Sequence, residues 1–81
     1  MDMHDRLLEV FQGLEFEASE ISDGTNLRDE LGIDSTEFAE IAAAIERELL
    51  VVVNDDELSQ VKTFGDLVQF VSSAPPAKQG D

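Results

Sequence analysis

The feature that most constrains the fold is a run of apolar residues at helical spacing in the middle of the chain. Between residues 34 and 50, apolar side chains recur at offsets of three, four, seven and eleven, and these are Phe38, Ile41, Ala42, Ile45 and Leu49. Most of the positions between them are charged or small. The pattern predicts an amphipathic helix of about four turns whose apolar face must pack against other helices.

The start of this helix is also marked in the sequence. Asp34 is a good N-cap residue, and Glu37 follows it three positions later, which completes a capping-box pattern. We therefore predict that Ser35 is the first helical residue and lies at the partially positive end of the helix. A serine in this position can be a simple helix-start residue or a point of attachment.

Three further segments have helical patterns. Residues 5–14 carry one apolar stripe, and Thr63 caps a last helix whose stripe ends at Val71. Asn54 or Asp55 begins a short helix between them. The predicted fold is all-α: a small antiparallel three-to-four-helix bundle with a long first loop.

The remaining segments set the expected boundaries. Residues 15–30 lose the periodicity and form the long loop, and the apolar residues 50–53 are expected to be an extended link without a pairing partner. Residues 74–81 contain two prolines and no periodicity. We therefore expect one domain over residues 1–73 and a disordered tail over residues 74–81.

Charge narrows the functional classes. Nineteen acidic and five basic residues give a net charge of -14, which repels nucleic acid and anionic membranes and favours partners with basic patches. The chain has no cysteine, and its longest apolar run is too short to cross a bilayer. We expect no signal peptide, because no N-terminal apolar run follows a basic segment. The expectation is a cytoplasmic monomer with no membrane or nucleic-acid partner.

Catalysis and metal binding have little support in the sequence. His4 is the only histidine and lies near the N-terminus, so no serine has an obvious base beside it, and no catalytic residue is predicted. Residues 55–57 and 23–26 offer oxygen ligands, but neither segment follows the calcium-loop spacing. No metal site is predicted.

The segment "LRDELGIDSTEFAEIAAAIERELL" resembles the core of an acyl carrier protein. In that family a Leu-Gly-x-Asp-Ser-Leu stretch opens the second helix. The later segment "VKTFGDLVQFV" is similar to the start of the family's last helix, and the resemblance extends over residues 7–71.

This resemblance implies a role for several residues. Ser35 would carry 4'-phosphopantetheine, attached by a phosphopantetheinyl transferase that uses magnesium and coenzyme A, and Asp34 would help that transferase recognise the site. An acyltransferase, a ketosynthase or another pathway enzyme with a basic docking patch would bind the second helix. The implied partner-binding residues are Thr36, Glu37, Glu40, Ala43, Glu46, Arg47 and Glu48, and the small residue Ala44 would leave room beside them.

Two residues depart from the family pattern. Thr36 replaces the usual leucine, and Arg47 replaces a usual glutamate. They favour a carrier in polyketide or other specialised biosynthesis over the carrier of general fatty acid synthesis. Two alternatives stay open, namely a peptidyl or aminoacyl carrier and an unmodified acidic helical adaptor that binds a basic partner.

Overall fold

The fold was analysed in a computed structural model, which describes residues 2–77. Within this range the regular structure consists of four α-helices, a short 3₁₀ turn and isolated β-bridges. The helices are α1 (Met3–Gly13), α2 (Ser35–Leu49), α3 (Asp55–Leu58) and α4 (Phe64–Ser72), and the 3₁₀ turn is Ala18–Glu20. The predicted helices are all present, and the 3₁₀ turn was not predicted.

The helix ends follow the capping residues of the sequence. Asn54 caps α3 by accepting a hydrogen bond from the Glu57 N–H at 3.0 Å. Thr63 caps α4, and the Asp66 side chain completes a capping box there. α2 ends where Leu50 adopts a left-handed conformation with φ of 58°. Such a residue stops a helix because its carbonyl can no longer continue the helical hydrogen-bond ladder.

The core lies where the apolar faces of the helices meet. α1 packs against α2 and α4, and α2 also packs against α3. The largest fully buried side chains are Phe11, Phe38, Phe64, Leu7, Leu27, Ile41, Ile45, Leu58, Leu67 and Val71. The apolar stripe predicted for residues 34–50 is therefore the buried face of α2, and the all-α small bundle is confirmed.

The long connection between α1 and α2 is tied to the start of α4. Thr25, a buried polar residue at 4% exposure, accepts a hydrogen bond from the Ser22 N–H at 2.8 Å through its hydroxyl oxygen. Its carbonyl accepts another from the Phe64 N–H at 3.0 Å, and the Asp23 carbonyl accepts one from the Gly65 N–H at 2.8 Å. Because these bonds satisfy the buried backbone groups, the connection can run across the bundle without regular secondary structure.

The C-terminal segment (residues 74–77) departs from the prediction. Two backbone hydrogen bonds tie it to residues 50–52, from the Val52 N–H to the Pro75 carbonyl at 2.8 Å and from the Ala77 N–H to the Leu50 carbonyl at 2.9 Å. The prediction of a disordered tail is therefore wrong for residues 74–77, and the link at 50–52 has a partner after all. Residues 78–81, the rest of the predicted tail, lie outside the described residues.

The N-terminus is also better anchored than its sequence indicates. The ring of His4 packs edge-on against Phe64 with centroids 5.3 Å apart. Its Nε2 lies 3.1 Å from a carboxylate oxygen of Asp23. The histidine therefore joins α1 to the long connection and to α4.

Candidate functional site

The hydroxyl of Ser35 is open to solvent. Ser35 is the first residue of α2 and is exposed, and its hydroxyl makes no hydrogen bond within residues 2–77. An oxygen in this position can be reached by a second protein and by a large substituent. No hydrogen bond within residues 2–77 joins this hydroxyl to a basic side chain that would make it a nucleophile by itself.

The backbone around Ser35 is held by a capping box. The Asp34 carboxylate accepts a hydrogen bond from the Glu37 N–H at 2.9 Å, and Glu37 Oε1 accepts a longer one from the Asp34 N–H at 3.3 Å. The amides of Ser35 and Thr36 have no partner within the described range. Free amides at a helix N-terminus favour an anionic oxygen nearby. The site therefore fits a phosphodiester on the Ser35 hydroxyl.

The loop before the site contains a glycine in a left-handed conformation. Gly32 has a φ of 70°, a conformation that side chains with a Cβ rarely adopt, and the space where its Cβ would point is empty to 4 Å. The following Ile33 is buried at 2% exposure and anchors the loop to the core. The chain thus turns sharply with little bulk just before Ser35.

The exposed face of α2 is formed by residues at helical spacing. Thr36, Glu40, Ala43 and Arg47, all predicted for partner binding, are exposed and recur every three or four residues, so they lie along one stripe. The exposed Ala39 lies beside them. Sequence reasoning missed Ala39, although its position one turn after Thr36 was the available signal.

The other three predicted partner residues lie elsewhere or are engaged within the protein. Glu46 is half-buried, and its Oε2 accepts a 2.8 Å hydrogen bond from the Val53 N–H, which fixes the link after α2. Glu37 takes part in the capping box, and Glu48 lies 3.6 Å from the Arg47 guanidinium. The exposed stripe therefore carries one acid and one base, and it is less acidic than the sequence of α2 suggests.

Shallow grooves run between α1 and α2. One of about 260 Å³ is lined by Ala44, Leu14 and Arg47, and another of about 350 Å³ is lined by Arg6, Glu9 and Leu49. Ala44 is buried against α1, whereas Ala43 faces solvent. Of the two alanines, Ala44 is thus the one that lines a groove between α1 and α2.

One group of possible metal ligands lies at the N-terminus. Oxygen and nitrogen atoms of Asp2, His4 and Asp5 lie within 4.8 Å of one another. The Asp2 carboxylate already caps α1 by accepting a hydrogen bond from the Asp5 N–H at 3.0 Å. Exposed acidic groups commonly come this close without a metal, so the grouping alone does not indicate a site.

No helix within residues 2–77 combines the length and the apolar character needed to cross a bilayer. The longest, α2, has 15 residues.

Comparisons with known proteins identify the family of the chain. Residues 5–71 match the family described as "Phosphopantetheine attachment site". The chain is 35% identical over 65 residues to the acyl carrier protein of Sinorhizobium fredii and, to the same degree, to acyl carrier protein AcpP of Rhizobium meliloti. These matches cover 80% of this chain and 83% of each relative. The chain belongs to the acyl carrier protein family.

Members of the acyl carrier protein family have a covalently bound cofactor. The phosphopantetheine-attachment domain of acyl carrier proteins holds a covalently attached 4'-phosphopantetheine. As a family, acyl carrier proteins are carriers and not catalysts, and they interact with phosphopantetheinyl transferases and biosynthetic enzymes.

A solved structure has the same fold. It is the solution structure of the apo doublet acyl carrier protein from prodigiosin biosynthesis, with a TM-score of 0.73 and 22% sequence identity. The similarity covers 98% of this acyl carrier protein but only 38% of that longer chain. At this level of identity the likeness concerns the fold alone.

Proposed function

We propose that Ser35 is the residue that carries 4'-phosphopantetheine. The observation that carries this proposal is the exposed, unbonded hydroxyl at the first position of α2, in a chain of the phosphopantetheine-attachment family. The motif around it, Gly32 to Ser35, has the family's Gly-x-Asp-Ser order. In this proposal the transferase breaks the pyrophosphate bond of coenzyme A and joins the Ser35 oxygen to the phosphate of the arm. Adenosine 3',5'-bisphosphate is the leaving group, and the serine hydroxyl loses its proton to a base of the transferase.

The chain's own contribution is positioning. The capping box of Asp34 and Glu37 fixes the start of α2, so the Ser35 hydroxyl points from a rigid element and not from a mobile loop. The free amides of Ser35 and Thr36 favour a phosphate oxygen by about 0.3–1 kcal/mol at such an exposed site. Once attached, the arm supplies a terminal thiol that holds an acyl group as a thioester.

Asp34 is proposed to have a second role in recognition by the transferase. One of its oxygens caps α2, but the side chain is exposed and leaves a carboxylate edge beside Ser35. A transferase with a basic patch can read this charge, because opposite charges steer and orient protein encounters.

The proposed partner surface is the exposed stripe of α2 (Thr36, Ala39, Glu40, Ala43 and Arg47) together with the exposed Glu48 at its edge. A stripe with small residues and both signs of charge is suited to specific but weak docking, which a carrier that visits several enzymes requires. Glu37 and Glu46 are proposed to act indirectly, because their hydrogen bonds hold the two ends of α2.

The proposed pathway is polyketide or other specialised biosynthesis. It is supported by Thr36 and Arg47, the two residues that differ from the family pattern. Both are exposed on the stripe of α2 that partner enzymes would contact. A peptidyl or aminoacyl carrier is the alternative with the same architecture. The chain is proposed to be a non-catalytic monomer, and its cytoplasmic location remains a prediction.

Intact mass spectrometry tests the attachment. The protein is incubated with coenzyme A, magnesium and a broad-specificity phosphopantetheinyl transferase. We expect the mass of one phosphopantetheine to be added to the natural chain and to Ser19→Ala, and nothing to be added to Ser35→Ala. Ser19 is a suitable control because it is an exposed serine whose side chain makes no hydrogen bond within residues 2–77.

Two results would overturn the proposal. Addition to Ser35→Ala would place the arm on another residue. A natural chain that stays unmodified while a known carrier is loaded in the same mixture would favour the unmodified adaptor.

A further inference from the structure

A cleft lies between the long connection and the segment after α3. The backbone of the two sides is joined by a 2.8 Å hydrogen bond from the Leu27 N–H to the Lys62 carbonyl, next to a β-bridge between Asn26 and Thr63. The cleft has a volume of about 500 Å³, and its lining includes Asn26, Arg28, Ser59 and Lys62. Its two walls are therefore held at a fixed separation.

The charge of this cleft is opposite to that of the whole molecule. The chain has a net charge of -14, yet Arg28 and Lys62 both line the cleft and face one acidic neighbour in its lining, Asp29. Within the described range neither cation lies within 4.0 Å of a carboxylate oxygen. Each therefore retains N–H donors for an anionic ligand.

Arg28 is held in place by two contacts. Its Nη2 donates a 2.9 Å hydrogen bond to the Ser59 carbonyl. Its guanidinium carbon lies 4.9 Å from the centroid of the Phe38 ring, within the range of a cation–π contact. A guanidinium fixed in this way loses little side-chain entropy when it binds, and its planar set of donors matches a carboxylate.

The same contact places the cleft near Ser35. Phe38 lies three residues after Ser35 on α2, so the two residues are one helical turn apart and on neighbouring positions of the helix surface. Arg28 packs over Phe38 and thus links the start of α2 to the cleft. The Cβ atoms of residues spaced in this way lie about 5–6 Å apart, so an arm attached to Ser35 begins one helical turn from the residue on which this cation rests.

We propose that the Arg28–Lys62 cleft binds the free carboxylate of a dicarboxylic acyl group carried on the arm. The proposal rests on the proposed function of Ser35, and it narrows the cargo to acyl groups with a carboxylate at the far end. Arg28 contacts the carboxylate through its unused N–H groups, and Lys62 adds the second positive charge from the opposite wall. An uncharged acyl group of the same shape has no such contact.

Nuclear magnetic resonance of two loaded forms tests this proposal. The chain is loaded from malonyl-coenzyme A or from isovaleryl-coenzyme A, whose terminal isopropyl group has nearly the shape of a carboxylate without its charge. We expect backbone amide shifts to differ between the two forms at residues 26–29 and 59–62. Lys62→Gln and Arg28→Gln should each reduce these differences at least twofold, whereas Arg6→Gln, which removes a charge on α1, should leave them unchanged.

The variants separate binding from folding. Arg28→Gln also removes the contact with Ser59, so Lys62→Gln is the decisive variant, because the Lys62 side chain makes no hydrogen bond or ion pair within residues 2–77. Equal shifts in the malonyl and isovaleryl forms would overturn the proposal. The proposal would also fail if attachment of the arm without an acyl group already produced the full shift changes at residues 26–29 and 59–62. Those changes would then come from the phosphate of the arm.

Mass spectrometry of the same samples distinguishes the two proposals. If the arm is added and the two acyl forms do not differ at the cleft, the cleft proposal fails and the proposed role of Ser35 stands. If no arm is added at all, the proposed function fails and the cleft proposal fails with it.

Discussion

Asp34 serves two purposes at the scale of the single residue. Its oxygen caps α2 at 2.9 Å from the Glu37 N–H, and its exposed side chain adds a negative charge at the residue just before Ser35. The cap needs only an acceptor oxygen, which an asparagine also provides. The proposed recognition by a transferase needs the negative charge. Substitutions at this residue can therefore separate the structural purpose from the functional one.

The expected effects at Asp34 differ for stability and for loading. Asp34→Ala should lower the free energy of unfolding by about 1 kcal/mol, because it removes the cap, whereas Asp34→Asn should change it by only a few tenths of a kcal/mol. Both variants should load phosphopantetheine more slowly than the natural chain. Urea denaturation followed by circular dichroism checks the first expectation, and timed intact mass checks the second. If Asp34→Asn is loaded as fast as the natural chain, the transferase does not recognise the negative charge of Asp34.

The position of Ser35 was predictable, because a capping box is a local pattern. An aspartate and a glutamate three residues apart specify both the start of the helix and the residue that follows the cap. The role of Glu46 was not predictable from helical periodicity. Its bond to the Val53 N–H depends on how the chain folds back after α2, and no spacing rule contains that information.

At the scale of the element, the helices follow their apolar stripes and the irregular segments do not follow any pattern. The pairing of residues 50–52 with residues 75–77 joins segments far apart in the chain. Pro75 and Pro76 have no N–H group to donate, so the sequence does not predict strand pairing there. The Pro75 carbonyl still accepts a hydrogen bond, and that is all the contact requires. The 3₁₀ turn Ala18–Glu20 escaped prediction because it is only three residues long.

Removing the C-terminal segment should weaken the bundle. Deletion of residues 74–81 abolishes the two backbone hydrogen bonds to residues 50–52, and each is worth about 0.5–1.5 kcal/mol. We expect the free energy of unfolding to fall by about 1–3 kcal/mol. For a domain of this size the melting temperature falls by about 4–8 °C for each kcal/mol.

The matched control for this deletion is a shorter one. Removing residues 78–81 leaves both hydrogen bonds in place, so its melting temperature should stay within about 2 °C of the natural chain, which corresponds to a few tenths of a kcal/mol. Equal melting temperatures for the two deletions, measured by differential scanning calorimetry, would mean that the pairing adds nothing to stability.

At the scale of the whole molecule, charge sets the conditions for every encounter. A net charge of -14 attracts a basic enzyme over a distance that salt shortens, since the screening length falls from about 30 Å at 0.01 M to about 8 Å at 0.15 M. The overall charge could be predicted from composition. The distribution of the charges could not, because it depends on the fold, which gives the exposed stripe of α2 mixed charge and makes the Arg28–Lys62 cleft positive.

Loading by a basic transferase should therefore depend on salt. We expect kcat/KM for phosphopantetheine transfer to fall about tenfold between about 20 mM and 200 mM sodium chloride, as for other charge-steered encounters. At low salt Glu40→Lys should lower kcat/KM more than Glu17→Lys does, although both change the charge equally, because only Glu40 lies on the exposed stripe of α2. Identical losses for the two variants would assign the effect to net charge alone.

The hydrogen bonds of Thr25 have a consequence for how the molecule opens. This buried residue and its neighbour Asp23 bind the amides of Ser22, Phe64 and Gly65, so the long connection and the first turn of α4 are fastened at one point. The long connection cannot separate from the bundle without exposing the first turn of α4 to water, and the reverse also holds. Their amide hydrogens should therefore exchange with solvent at a common rate, as one cooperative unit, while those in the middle of α2 exchange only on global unfolding.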